Sequence, residues 1–205
     1  MPYNSTQTLL FIHIPKTAGT SIIKMFNMDE KEGHISCNQY EESNKILYDN
    51  AYKFAIVRNP WDKFVSCYEY AKMKKSYWHS INGDSIYGKH IDYDLVTKYD
   101  NFNDFIKYLS DIEEPILPLK SVNWTYQYQW ICDNKFNIKI DTVYRYEHLN
   151  YMIKDLNNKF NYNLELPHIN KSKDKDYKTY YNDNSIHFVN KIYKKDIDLF
   201  NYKFK

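Results

Sequence analysis

Two stretches of this chain repeat one pattern: an apolar, β-branched run, a tight turn, then apolar residues at helical spacing. The first is TLLFIHI (8–14), ended by Pro15 and followed by TSIIKMFNM, where Ile22, Ile23 and Phe26 share a helical face. A short run that is apolar at every position suits a parallel strand buried on both faces. The second is YKFAIVR (52–58), followed by NPWDKFVSCYEYAKMKK. Asn59 suits a helix N-cap, Pro60 the first helical position and Asp62 the first turn. Two strand–turn–helix units this close together imply an α/β fold with a mainly parallel sheet.

The rest of the chain extends that reading. DTVYRYE (141–147) predicts a third strand and HLNYMIKDLNNKF the helix after it. NFNDFIKYLSDI places Phe102, Phe105, Ile106 and Leu109 on one helical face. A final helix is predicted after Asn184 or Ser185, using Ile186, Val189, Ile192 and Tyr193. From 76 to 100 the pattern weakens around Gly83 and Gly88. A loop of that length is expected to be functional or flexible. With no repeat and no dividing linker, residues 1–205 read as a single domain.

Composition narrows the classes. A chain of 205 residues buries roughly 70% of its unfolded surface. Its 22 tyrosines imply a core built partly from Tyr. A net charge of +2 gives no broad basic field, so no nucleic-acid partner is expected. The local cluster KMKK (72–75) fits a solvated helix end. Cys37, Cys67 and Cys132 are odd in number and form no C-x-x-C, against a disulfide framework or zinc site. A reducing, cytoplasmic setting follows. MPYNSTQ has neither a basic n-region nor a long apolar run, so neither signal peptide nor membrane anchor is expected.

The turn from Pro15 to Ser21 carries Lys16, Thr17, Gly19, Thr20 and Ser21. A turn entering a helix presents unbonded N–H groups and the positive end of the helix dipole, which attract anions. Gly19 would admit unusual torsions and close approach, the hydroxyls add donors, and Lys16 adds a mobile charge. The order is not that of a Walker loop: the lysine precedes the glycine and the first glycine is missing. Arg58 ends the second strand, and Ser66 lies about two helical turns on. Ligands of parallel sheets bind beyond the carboxyl ends of the strands, so Arg58 is expected at the same edge as the first turn. It suits bidentate phosphate binding; a salt bridge to the neighbouring helix is the alternative.

HIPKTAGTS followed by VRNPWDKFVSCY resembles the cofactor signature of sulfotransferases, most closely the heparan-type and other carbohydrate-modifying branch. YQWICD, VYRYEHL and LPHINKS resemble later segments of small soluble members. The resemblance implies a P-loop-like three-layer fold with helices flanking the sheet, and 3′-phosphoadenosine 5′-phosphosulfate (PAPS) as donor, leaving 3′-phosphoadenosine 5′-phosphate (PAP). It places Lys16, Thr17, Gly19, Thr20 and Ser21 on the 5′-phosphosulfate, Arg58 and Ser66 on the 3′-phosphate, and Lys171 and Ser172 over the nucleotide. Lys63 stands where many members carry Arg; a surface role there would tolerate the change.

Sulfuryl transfer, like phosphoryl transfer, depends mostly on positioning and electrostatics. Lys16 is the natural partner for charge growing on the leaving oxygens. The acceptor hydroxyl needs a base near neutral pKa, which points to histidine. His34, in EGHIS, is similar to a Gly-His-x-Ser segment that carries a catalytic histidine in uronyl-type members, and is the expected base. His168 is its rival, and His13 reads as a core residue behind the site. Trp61, Trp124, Tyr126 and Trp130 suit either core packing or stacking on adenine or sugar. The scheme requires no metal. The expected function is transfer of a sulfuryl group from PAPS to a hydroxyl of a saccharide or other acceptor, the 76–100 excursion facing it. The alternatives are a P-loop kinase-like phosphotransferase and a catalytically inactive nucleotide- or glycan-binding module.

Overall fold

The computed structural model describes residues 4, 6, 8–28, 34–84, 86–165 and 176–205. In chain order the elements are β1 (Leu9–Ile12), α1 (Gly19–Met25), α2 (Cys37–Ser43), α3 (Lys45–Asn50), β2 (Tyr52–Val57), α4 (Pro60–Ala71), α5 (Tyr93–Val96) and α6 (Phe102–Ser110). Then follow α7 (Tyr128–Ile131), β3 (Thr142–Arg145), α8 (Leu149–Phe160), α9 (Asp183–Ile192) and α10 (Lys194–Leu199). They form two compact units, Met1–Asn59 with Tyr126–Asp174, and Pro60–Thr125 with Lys175–Lys205.

The first unit contains a parallel sheet, ordered β1-β2-β3 among the described residues. Leu9 pairs with Tyr52 and Ile12 with Ala55; Phe54 pairs with Thr142 and Val57 with Arg145. Alternate residues of a strand face opposite sides. Leu9, Phe11, Phe54, Ile56 and Tyr144 accordingly join one cluster with Ile22, Ile23 and Phe26 of α1 and Met152, Ile153 and Leu156 of α8. Each such fully buried side chain contributes about 1.5–3 kcal/mol. The parallel register brings the residues after all three strands, His13 onward, Arg58 onward and Tyr146 onward, to one edge.

β1 is shorter than the apolar run suggests, because the Ile14 amide donates to the Ile12 carbonyl (3.1 Å) and turns the chain out of the sheet. α2 and α3 occupy a stretch where sequence period assigned no element; their ends show why they form. Ser36 caps α2 in a reciprocal box with Gln39, and Asn44 caps α3.

The second unit is held by aromatic packing. Phe64 on α4 meets Trp124 (5.1 Å between centroids), Phe102 (5.9 Å), Tyr193 (6.1 Å) and Phe188 (6.3 Å). Tyr193 is buried and donates its hydroxyl to the Trp124 carbonyl at 2.5 Å. Tyrosine therefore supplies core volume, provided the hydroxyl finds an acceptor. Lys63 is buried, and Nζ donates to the carbonyls of Asn123 (2.6 Å) and Thr125 (3.0 Å). Its role is internal: a compact ammonium ties down a turn through two carbonyls.

The stretch after Ala71 also differs from expectation. α4 stops there, so Lys72–Lys75 lie beyond the helix. Antiparallel bridges join Ser76 to Gly88 and Ser80 to His90, with Gly83 (φ 95°) in the turn between. Asp92 is buried and accepts from the Lys120 amide (2.7 Å), the Ser121 amide (3.0 Å) and Trp124 Nε1 (3.0 Å). Side-chain-to-backbone bonds, rather than apolar period, organise this excursion. α9 begins at Asp183, earlier than expected, because Asn182 and Ser185 form a capping box.

Two outcomes follow. Phe64→Ala leaves a cavity among four rings and should lower unfolding free energy by about 3–5 kcal/mol in urea titrations. Burial raises the Cys37 thiol from its ordinary 9.0 to about 11, against the opposing charge of Lys139. A raised thiol pKa means the unfolded chain ionises first. The contribution is fully present below pH 9.0 and is lost as pH rises through about 11. The urea midpoint should therefore fall less steeply over that window in Cys37→Ala than in the parent.

Candidate functional site

The turn after β1 is built by the backbone more than by glycine. Lys16 (φ 66°) and Ala18 (φ 71°, ψ 15°) are both left-handed, at an order of 1–3 kcal/mol each for non-glycine residues. Such turns let successive N–H groups face one side, as in anion-binding concavities. Thr17 is fully buried, and its hydroxyl donates to the Ile14 carbonyl at 2.8 Å. Its side chain therefore shapes the turn instead of presenting a donor, contrary to the hydroxyl role expected for it. Thr20 is exposed on the first turn of α1, and Ser21 is buried one residue on.

Gly19 has a different reason from the one expected. Its torsions are helical, and the strained ones fall on its neighbours. A Cβ at Gly19 would lie 1.7 Å from His13 Nε2 and 2.0 Å from His13 Cδ2. An imidazole occupies the space that a side chain at this position would need.

Arg58 reaches the same turn. Its Nη1 donates to the Lys16 carbonyl at 3.0 Å, and its guanidinium lies 4.2 Å from the centre of the Tyr146 ring. Gln127 grips its backbone from both sides: the Arg58 amide donates to Oε1 (2.8 Å) and Nε2 donates to the Arg58 carbonyl (2.9 Å). The next amide, Asn59, donates to Glu147 Oε1 at 2.7 Å. Segments that follow β1, β2 and β3 are thus tied together around one guanidinium, which is buried in this arrangement.

His34 precedes the capped start of α2. Its Nδ1 lies 2.8 Å from the His13 carbonyl. A carbonyl only accepts, so Nδ1 carries the hydrogen and Nε2 of the neutral ring keeps its lone pair. The ring is 4.2 Å from His13, centre to centre, and meets the edge of Trp130 at 5.8 Å. α2 is anchored in turn, with Asn38 Nδ2 donating to the Cys132 carbonyl at 3.0 Å.

The structure therefore brings Lys16, Gly19, Arg58 and His34 into one network within the first unit. Ser66 is a half-buried residue of α4 in the second unit. Lys171, Ser172 and His168 lie outside the described residues. Trp61 and Trp124 are buried, their indole nitrogens donating to the Ile186 carbonyl and to Asp92, which makes them packing residues. Trp130 backs His34, and Tyr126 stacks on Tyr128 (5.7 Å). Sequence reasoning missed Gln127 and Tyr146 as supports of Arg58. YQYQW and VYRYE offered the residue types, but only contacts across the chain reveal the partner.

In the first unit a left-handed turn after β1 meets an arginine clamped after β2. The chain matches the sulfotransferase family over residues 2–203 and belongs to that family, hence to the transferases. No curated protein and no solved structure matches it. Among the described residues no helix is long and apolar enough to cross a membrane.

Adjacent substitutions should act oppositely on stability. Ala18→Gly relieves a left-handed Cβ and should raise stability by up to about 1 kcal/mol. Gly19→Ala, although in a helix, overpacks against His13 and should cost about 1–3 kcal/mol. Thermal melts of both variants check the pair.

Proposed function

We propose that this chain transfers a sulfuryl group from PAPS to a hydroxyl group of a carbohydrate, by in-line displacement with His34 as general base. The observation that carries this reading is the bond between His34 Nδ1 and the carbonyl of His13, the residue that ends the run into the Lys16 turn, which makes Nε2 the basic atom of the neutral ring. The bond from Arg58 Nη1 to the Lys16 carbonyl joins the two cation-bearing turns, which supports a doubly phosphorylated nucleotide as donor.

In this reading the 5′ side of the donor is held by Lys16, by Thr20 and Ser21, and by main-chain N–H groups of Thr17 and Gly19. Arg58 serves the 3′-phosphate; the family resemblance adds Ser66, Lys171 and Ser172 as further contacts. The donor supplies an activated sulfuryl group. His34 Nε2 takes the proton of the attacking hydroxyl, and its imidazolium is steadied by the carbonyl on Nδ1. Lys16 balances negative charge on the departing phosphate. The family match runs through both compact units, which supports reading residues 1–205 as one catalytic domain.

Calorimetry with PAP and transfer from labelled PAPS to a panel of glycans test the proposal. Binding at micromolar PAP and labelled glycan are expected. His34→Ala should keep PAP affinity within about twofold and lower turnover by about 10²–10⁴-fold. Lys16→Ala should lower turnover by about 10²–10³-fold. Absence of PAP binding would remove the proposal, and magnesium-dependent ATP binding in its place would mark a phosphotransferase. PAP binding without transfer to any acceptor would mark an inactive binding module.

A further inference from the structure

We propose that the His13 side chain is a positioning residue, which sets the orientation of the His34 imidazole against the Lys16–Gly19 turn. The inference rests on the reading of His34 as general base. A histidine at the end of a buried strand would ordinarily be core filler. Here its ring lies against Phe11 of the core and against two site residues, His34 and Gly19. It stacks on Phe11, with centroids 5.6 Å apart and planes 19° apart. It lies 4.2 Å from His34, tilted by 50°. Its Nε2, Cδ2 and Cε1 fall 1.7, 2.0 and 2.5 Å from where a Gly19 Cβ would be.

The His13 carbonyl holds His34 Nδ1, and the motion that would undo this is a turn-over of the imidazole that presents Nε2 to the carbonyl. The His13 ring and Trp130, both packed against His34, oppose that turn-over. Because the His13 ring also fills the space beside Gly19, displacement of the turn is transmitted to His34 through a single rigid group. Residue 13 therefore acts twice, its carbonyl selecting the tautomer of His34 and its ring selecting the direction in which Nε2 points.

The test uses full-length protein with ¹⁵N-labelled histidine, and reads the His34 tautomer from two-bond ¹H–¹⁵N spectra at about pH 9, where imidazoles are neutral. The parent protein should show His34 protonated at Nδ1. In His13→Ala an Nε2–H population should appear, kcat should fall about 10–100-fold, and KM for PAPS should stay within twofold. Gly19→Ala should produce the same spectral change, and should have no additional effect in a His13→Ala background, since the ring it displaces is gone. Should His13→Ala fail to fold by circular dichroism, His13→Asn is read in the same way. An unchanged His34 tautomer in a folded His13 variant would overturn the proposal, whether kcat holds or falls. The spectra need no turnover, so an altered tautomer in a protein without sulfuryl transfer would sustain the positioning role and remove the sulfotransferase reading alone.

Discussion

The bond from Arg58 Nη1 to the Lys16 carbonyl is the contact on which the rest of the site depends. It joins residues that follow two neighbouring strands, and it sets a buried guanidinium against a backbone already held in a left-handed turn. A buried cation is costly unless its donors are satisfied. The surroundings answer that cost with the Tyr146 ring beneath it and the Gln127 amide on its main chain. Parallel register makes the contact available at all, because it delivers the ends of all three strands to one edge.

The same edge holds the imidazole pair. A capping box starts α2 just after His34, and a carbonyl from the end of β1 receives its Nδ1 hydrogen. The position of His34 thus follows from an ordinary helix start and an ordinary strand end, meeting across a stretch of about twenty residues. The glycine of the turn belongs to this arrangement. Gly19 makes room for His13, while the strained torsions sit on Lys16 and Ala18. The unusual torsions expected at that glycine are absent from it.

Much of the framework was legible in the residues. The strands and the long helices carry their apolar period openly, and Phe102, Phe105, Ile106 and Leu109 are buried together as their spacing predicts. What escaped was organised by polar contacts with no period. α2 and α3 are specified by caps, and the 76–100 excursion by Asp92 and the bridges at Ser76 and Ser80. The role of Lys63 was hidden for a related reason: nothing in its own stretch of sequence shows that its ammonium lies between two carbonyls.

By itself the sequence determined the α/β class and the three parallel strands. These are local matters, written in residue type and spacing along the backbone. The tertiary structure alone decided that Thr17 turns its hydroxyl inward, that Gly19 yields its space to His13, and that Gln127 and Tyr146 brace Arg58. Each of those depends on residues far apart in the chain meeting within a few ångströms, and no single stretch of sequence encodes its distant partner.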